Sequence, residues 1–111
     1  MAVEDGAALA EALSDVTVIE DLKSALKKFE NVRLQRASQM QQASLINGML
    51  LHFPDGPIQE ARDAAMRPEV EGHQFDQSPN QWSDPTTQTW SYGYNAVDEM
   101  REALRVPEKV V

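Results

Sequence analysis

An all-α fold is predicted by three features of this 111-residue sequence. Apolar residues recur at helical spacing from Thr17 to His52, no proline interrupts that run, and no pair of alternating segments indicates a β-hairpin. The run predicts a long central helix, straight or bent, with shorter helices packed against it. We expect a single helical domain or fragment over residues 1–111, because the chain is too short for two domains.

The first predicted helix covers residues 1–13 and is rich in alanine, which allows a neighbouring element to approach closely. Glu4 and Asp5 fall in its first turn, where the helix dipole favours carboxylates. We interpret them as solvated or first-turn charges, because adjacent residues of a helix point in different directions and do not form an acid/base pair.

The long helix, residues 17–52, is expected to begin with a capping box in which Thr17 and Glu20 each satisfy a backbone N–H. Arg33 and Arg36 interrupt its apolar stripe at a spacing of three residues, which places them on one face. Two interpretations of this pair stay open: a clamp on helix-end carbonyls or carboxylates, or a site for an anionic ligand.

A third helix is predicted over residues 55–66. Asp55 or Gly56 can cap it, and Pro57 suits its first turn because proline lacks the N–H that would be left without a partner there. Pro68 is expected to end this helix, since proline interrupts helical hydrogen bonding.

Residues 67–89 are rich in proline and polar residues and predict a loop, in which Ser83, Asp84 and Pro85 can start a short helical turn. The last helix is predicted over residues 95–104, with Asn95 as its N-cap. Four aromatic residues are expected to pack over the helices or, alternatively, to line a pocket: Trp82, Trp90, Tyr92 and Tyr94.

The composition excludes several classes of function. A net charge of −8 disfavours nucleic acid and anionic membrane surfaces, since both bind clustered basic residues. The absence of cysteine excludes disulfides, thiolate nucleophiles and cysteine-ligated zinc. No apolar run is long enough to span a bilayer, and the acidic N-terminus differs from a signal peptide, so we expect a soluble, cytoplasmic protein.

The residues alone leave the catalytic groups unknown. His52 and His73 are 21 positions apart with no further nitrogen ligand nearby, so no metal site is expected. His52, Asp55 and His73 are the first candidates if the chain has chemistry of its own.

Several segments together resemble one family. Residues 1–13, the segment from Phe29 to Ala37, and the stretches Asn47 to Met66 and Trp90 to Met100 resemble the C-terminal part of FAD-dependent aromatic-ring monooxygenases. The resemblance is to the salicylate hydroxylase type, in its fungal members, and it covers essentially the whole chain.

The resemblance implies a larger enzyme with a Rossmann-like FAD domain, a substrate domain with a β-sheet, and a helical C-terminal part. The family hydroxylates aromatic or other activated carbons with FAD, NAD(P)H and oxygen. This chain lacks the family's glycine-rich phosphate motifs, so no cofactor is expected to bind to it alone. Met1, Ala2 and Val3 would lie at the edge of the family's flavin site. Gln35 stands where the family usually has proline.

The leading hypothesis is a truncated monooxygenase-like protein, or one whose sequence starts at an internal methionine. The alternatives are a stand-alone helical remnant, acting as a cofactor-independent isomerase or hydrolase or as a small binding protein in secondary metabolism, and a docking subunit. A small-molecule substrate fits these hypotheses, and the expected partner is a second copy or a flavin-domain protein, because an uncovered apolar face favours association.

Overall fold

The computed structural model describes residues 1–107, which form five α-helices and no strand, so the all-α prediction is confirmed. A 3₁₀ turn at Ile19–Asp21 leads directly into the longest helix. The helices are α1 (Ala2–Leu13), α2 (Leu22–Leu51), α3 (Pro57–Val70), α4 (Pro85–Tyr92) and α5 (Ala96–Arg105). Over the described residues, none of these helices has both the length and the apolarity that crossing a membrane requires.

The start of the long helical segment differs from the prediction. Val18 is extended (φ −128°, ψ 147°) and precedes the 3₁₀ turn without any side-chain capping hydrogen bond. The predicted capping box of Thr17 and Glu20 is therefore wrong, because the turn begins two residues after Thr17 and already contains Glu20.

Helix α3 continues through Pro68 to Val70, so the prediction that Pro68 ends this helix is wrong. Gly72, at φ +76°, is the residue that ends it. The N–H of Gly72 donates to Glu69 O at 3.1 Å, and the N–H of His73 donates to Pro68 O at 2.8 Å. These two bonds form a Schellman motif, which ends the helix at a left-handed glycine.

Side-chain caps define the starts of α4 and α5. Asp84 accepts a hydrogen bond from Thr87 N at 3.0 Å, and Pro85 follows it at the first helical position. Asn95 Oδ1 accepts from the N–H groups of Val97 and Asp98, both at 3.1 Å, as the sequence predicted for this cap. Both ends of the predicted loop, residues 67–89, are therefore helical. Helix α3 extends to Val70, and α4 begins directly after its Asp84 cap.

The described chain divides into two compact units. The first, called unit A here, comprises Met1–Gln39 and the described residues from Asn95 onward. Its core is small: Ala8, Ala12 and Met100 are buried, with Phe29 and Val32 of α2 packed against them. The short methyl side chains let α1 lie close to α5, as the alanine content of α1 predicted.

The second unit, unit B, comprises Met40–Tyr94 and contains polar contacts between its segments. Buried Asn47 accepts a hydrogen bond from Gln81 N at 3.0 Å, and Arg62 Nη1 donates to Leu50 O at 2.8 Å. Of the aromatic residues here, Tyr92 and, to a lesser degree, Trp82 are exposed, so the prediction that all four aromatics pack is wrong for these two.

Candidate functional site

The most developed polar arrangement in unit A is a cluster of four charged residues, called the charge cluster below. It contains Glu4 and Asp5 from the first turn of α1, and Arg33 and Arg36 from α2. The spacing of the arginines puts both on one helix face, and the start of α1 presents the two carboxylates to that face.

Glu4 bridges the two arginines. Its Oε2 accepts from Arg33 Nη2 at 2.9 Å and from Arg36 Nε at 3.2 Å, and its Oε1 accepts from Arg36 Nη2 at 3.1 Å. Asp5 Oδ1 accepts from Arg33 Nε at 2.6 Å. The first interpretation of the arginine pair, a clamp on carboxylates, is confirmed.

Burial makes these contacts important for the two arginines. Arg33 and Arg36 are only 5% and 3% exposed, so their charges need close partners inside the protein. Hydrogen bonding from Arg36, and then from Arg33, lowers the pKa of Glu4 below its ordinary value, although partial burial of the carboxyl opposes the shift. The pairing therefore keeps Glu4 ionised, and we assign the cluster a structural role.

A groove of about 600 Å³ lies in unit A between α2 and the end of α5. Lys28 Nζ donates to Leu104 O at 3.4 Å near the C-terminal end of α5, where a cation is favoured by the helix dipole. Lys27 pairs with Glu30 at 3.0 Å. The lining residues are Lys27, Lys28, Asn31, Val32, Ala103, Val106 and Pro107. Both lysines thus have partners within the protein.

Unit B has its own groove, of about 460 Å³, along α3 and the end of α2. Arg62 on its wall donates to Leu50 O and forms an ion pair with Asp63 at 2.7 Å. The lining residues are Leu51, Arg62, Asp63, Met66, Arg67, Val70 and Glu71. The groove combines exposed apolar side chains with charges that pair among themselves.

The three candidate catalytic residues all lie in unit B, and each is exposed. The Nδ1 of His52 is 2.7 Å from Gly48 O in the last turn of α2, and His73 Nε2 is 3.4 Å from Glu71 Oε2. Within residues 1–107, no hydrogen bond or ion pair joins any two of His52, Asp55 and His73. Their catalytic role stays a prediction.

No group of three or more potential metal ligands was found among residues 1–107. Met1, Ala2 and Val3 stand exposed at the start of α1, and Val3 is 88% exposed. Met1 precedes the helix without a side-chain capping bond. A position for these three residues beside a flavin stays a prediction.

Sequence reasoning did not identify the bridging role of Glu4 or the helix-ending role of Gly72. The first depends on two segments about 30 positions apart in the chain, which local patterns do not connect. The second had a signal, since glycine is the usual residue just past the end of a helix and Gly72 follows the predicted helix.

No protein-family model matches the sequence. FAD-dependent monooxygenase OpS4 of Beauveria bassiana is 33% identical over 96 residues, which are 86% of this chain and 22% of that protein. 3-Amino-4-hydroxybenzoate 2-monooxygenase PtnB3 of Streptomyces platensis is 38% identical over 65 residues, 59% of this chain and 16% of that protein. FAD-dependent monooxygenase atnJ of an Arthrinium species is 40% identical over 63 residues, 57% of this chain and 15% of that protein. The chain therefore matches about a fifth or less of the length of these relatives.

Two of these relatives are named as FAD-dependent, so the described residues can be compared with what an FAD site requires. A dinucleotide pyrophosphate is commonly held by a glycine-rich turn between a strand and a helix, and residues 1–107 contain no strand. The buried guanidinium groups of Arg33 and Arg36 are bound to carboxylates. The described residues do not fit the FAD pyrophosphate by themselves, and the absence of FAD from the isolated chain stays a prediction.

Proposed function

By sequence this chain is a relative of the FAD-dependent monooxygenases, and we propose that it serves as the helical C-terminal part of such an enzyme. The observation that carries the proposal is the 33% identity to a monooxygenase across 86% of this chain. In this role the chain supplies packing surface, and the pyrophosphate-binding residues belong to another part of the enzyme. The partner is thus an FAD-binding part, in the same polypeptide or in a second chain.

Exposed apolar side chains support this proposal. In unit A, Val3, Ile19 and Leu34 are all more than half exposed, and Leu34 on α2 is 63% exposed. Apolar surface of this kind is stabilised when a further protein part covers it, at roughly 25 cal/mol per Å² removed from water. Unit B exposes a similar set: Leu45, Met49, Leu51, Ile58 and Val70.

The proposed reaction of the whole enzyme is the hydroxylation of a small aromatic or secondary-metabolite substrate, with FAD and NAD(P)H as the cofactors. Two Streptomyces platensis relatives carry the name 3-amino-4-hydroxybenzoate 2-monooxygenase, which supports an aromatic substrate class. None of the residues of this chain is assigned to the chemical step. A cytoplasmic location and a homodimer stay predictions.

A graft tests the proposal. The matching region of the Beauveria bassiana monooxygenase is replaced by this chain, and bound FAD is measured by visible absorbance after purification. We expect nearly one FAD per graft, none in the isolated chain, and none in the relative with the region deleted. The proposal would be contradicted if the isolated chain bound about one FAD per molecule. It would also be contradicted if a folded graft lost FAD while the unmodified relative kept it.

A matched pair of variants tests the covered surface within that graft. Leu34→Glu puts a charge on an exposed apolar position of α2, whereas Gln35→Glu changes the neighbouring exposed polar residue. We expect Leu34→Glu to lower the melting temperature of the graft and to leave that of the isolated chain nearly unchanged. Gln35→Glu should have little effect in either protein. If Leu34→Glu changed the melting temperatures of the graft and of the isolated chain equally, nothing would cover this position in the graft.

A further inference from the structure

Three dipeptides of this chain place glycine directly after aspartate or asparagine: Asp5–Gly6, Asn47–Gly48 and Asp55–Gly56. In such a dipeptide the backbone nitrogen of glycine can attack the side-chain carbonyl carbon and close a five-membered ring, the succinimide. Glycine favours this reaction because it lacks the Cβ that would crowd the attacking nitrogen. The sequence alone does not distinguish the three dipeptides, whereas their places in the fold do.

Two of the three dipeptides lie inside helices, which oppose the reaction. Gly6 lies in α1 and Gly48 in α2, so the attacking nitrogen of each takes part in helical hydrogen bonding. The side chains before them are also held. Asp5 Oδ1 accepts from the Nε of an α2 arginine at 2.6 Å, and buried Asn47 accepts from a backbone N–H at 3.0 Å. Ring closure at either dipeptide therefore requires local opening of a helix.

The third dipeptide, Asp55–Gly56, lies in the short connection between α2 and α3, outside both helices. Asp55 is exposed, and within residues 1–107 neither its carboxylate nor the N–H of Gly56 has a hydrogen-bond partner. A Cβ built on Gly56, whose φ is +147°, would meet nothing within 4 Å. The nitrogen and the carboxyl carbon can therefore approach each other without breaking a hydrogen bond of the described structure.

We propose that Asp55 is a site of spontaneous backbone modification, at which its carboxyl group cyclises with the nitrogen of Gly56 and reopens as isoaspartate. Closure forms the bond from Gly56 N to Asp55 Cγ and releases the carboxyl hydroxyl and the amide proton as water. A water molecule then opens the ring. Its attack on the main-chain carbonyl carbon of Asp55 breaks the bond from that carbon to Gly56 N, so the main chain then runs through Cγ. This inference goes beyond the proposed monooxygenase role and does not depend on it.

The modification changes the connection between two packed helices. Isoaspartate adds one carbon atom to the backbone, and α3 begins at Pro57, directly after the modified dipeptide. Arg62 Nη1 of α3 donates to Leu50 O of α2 at 2.8 Å across this connection. A longer connection therefore acts on the contact that joins the two helices in unit B.

The first test measures the uptake of oxygen from the solvent, because ring opening adds one oxygen atom from water. The full chain is incubated at neutral pH in heavy-oxygen water, either folded or in urea, and is then digested with trypsin. Cleavage after Arg36 and Arg62 leaves Asn47 and Asp55 in one peptide, in which fragmentation by mass spectrometry separates the two residues. The rate at each residue in the folded chain is compared with its own rate in urea, so each residue is its own control.

We expect folding to slow the reaction at Asp5 and Asn47 by about tenfold or more, a factor that a helix-opening free energy of about 1.4 kcal/mol supplies. The reaction at Asp55 should be slowed by less than about threefold, because no helix has to open there. Equal slowing of all three residues would overturn the inference. A folded chain that takes up no heavy oxygen at Asp55 would overturn it as well.

Asp55→Asn provides a matched comparison, because it places the same Asn–Gly sequence in the connection and inside α2. The Asp55 carboxylate makes no hydrogen bond in the described structure, so the variant should keep the fold, as judged by circular dichroism. In the folded variant we expect position 55 to deamidate about tenfold faster than Asn47 or more, and in urea the two rates should be similar. Equal rates in the folded variant would overturn the inference.

An L-isoaspartyl methyltransferase identifies the product, since it transfers a methyl group to isoaspartate and not to aspartate. With labelled S-adenosylmethionine as the methyl donor, we expect the incubated chain to accept label at Asp55 and the fresh chain to accept none. A chain that carries heavy oxygen at Asp55 and accepts no methyl group would overturn isoaspartate as the product.

Discussion

Arg36 donates two hydrogen bonds to the carboxylate of Glu4, from Nε at 3.2 Å and from Nη2 at 3.1 Å. This pair joins the first turn of α1 to the middle of α2, 32 positions later in the sequence. Because Arg36 is almost wholly buried, the carboxylate is a local counter-charge for a group that has little access to water. Removing the charge of Glu4 should therefore lower stability more than removing the charge of an exposed carboxylate such as Glu30.

The first prediction concerns this carboxylate. Glu4→Gln should lower the free energy of unfolding at pH 7 by about 2 kcal/mol, less than for a fully buried pair because the Glu4 side chain is 25% exposed. Urea denaturation measures the change. Glu30→Gln is the control, since the exposed pair of Glu30 with Lys27 should contribute less than about 0.5 kcal/mol. Equal losses of unfolding free energy in the two variants would contradict the larger contribution that is assigned to the Glu4 carboxylate.

The second prediction is the pH dependence of the same contribution. Hydrogen bonding from Arg36 and Arg33 holds the pKa of Glu4 below 4.5 in the folded chain. A lowered pKa means that the unfolded chain binds the proton more readily, so the stabilisation is complete above about pH 4.5 and is lost as the pH falls through the folded-state value. The unfolding free energies of the parent and Glu4→Gln should therefore converge in acid. A constant difference from pH 7 to pH 3 would show that the carboxyl has no shifted pKa.

The third prediction concerns the core of unit A. Met100 is fully buried beside Ala8 and Ala12, so Met100→Ala should cost about 2–5 kcal/mol through lost contacts and a residual cavity. Met100→Leu nearly conserves the volume and should cost less than about 1.5 kcal/mol. Met49→Ala is the control at an exposed methionine, with an expected change within about 0.5 kcal/mol. A Met100→Ala chain as stable as Met49→Ala would show that this core is not packed as described.

Local sequence signals predict most of the helices. They fail at a helix end that is set by another residue than the one the signal indicates. Asn95 caps the last helix because its side chain bonds to amides two and three residues ahead, an interaction that depends only on neighbouring sequence. Pro68 is not the residue that ends α3, because the left-handed Gly72 is what turns the chain.

The charge cluster shows why sites are harder to predict than helices. The spacing of Arg33 and Arg36 indicated that they share a face and need acceptors. Many carboxylates of this acidic chain could have met that need, and the choice of Glu4 and Asp5 is made by the packing of α1, α2 and α5 around Met100. Such a contact between distant segments becomes visible only when the helices are placed in three dimensions.

The fourth prediction concerns Asp84 in unit B. It caps α4 and also accepts a hydrogen bond from Ser78 N at 2.8 Å, so Asp84→Ala should lower the unfolding free energy by about 1–2 kcal/mol. The backbone N–H groups of Ser78 and Thr87 lower the pKa of this carboxyl, so its contribution should fade as the pH falls through that lowered value. Asp76→Ala, at an exposed residue of the same unit, should change stability little. Urea denaturation of the two variants at pH 7 and in acid distinguishes them, and equal behaviour would contradict the cap.

The fifth prediction compares two glycines of unit B. Gly48 lies inside α2 with open space where a Cβ would be, so Gly48→Ala should raise the free energy of unfolding by up to about 1 kcal/mol, since alanine loses less backbone entropy in a helix. A Cβ on Gly93 would lie 2.5 Å from Thr89 O, the same oxygen that accepts the Gly93 N–H at 2.9 Å. Gly93→Ala must therefore displace the last turn of α4 and should lower the unfolding free energy by about 1 kcal/mol or more. Thermal or urea denaturation should give changes of opposite sign for these two identical substitutions. Stabilisation by both substitutions would mean that intrinsic helix preference, and not the close approach at Thr89, governs the end of α4.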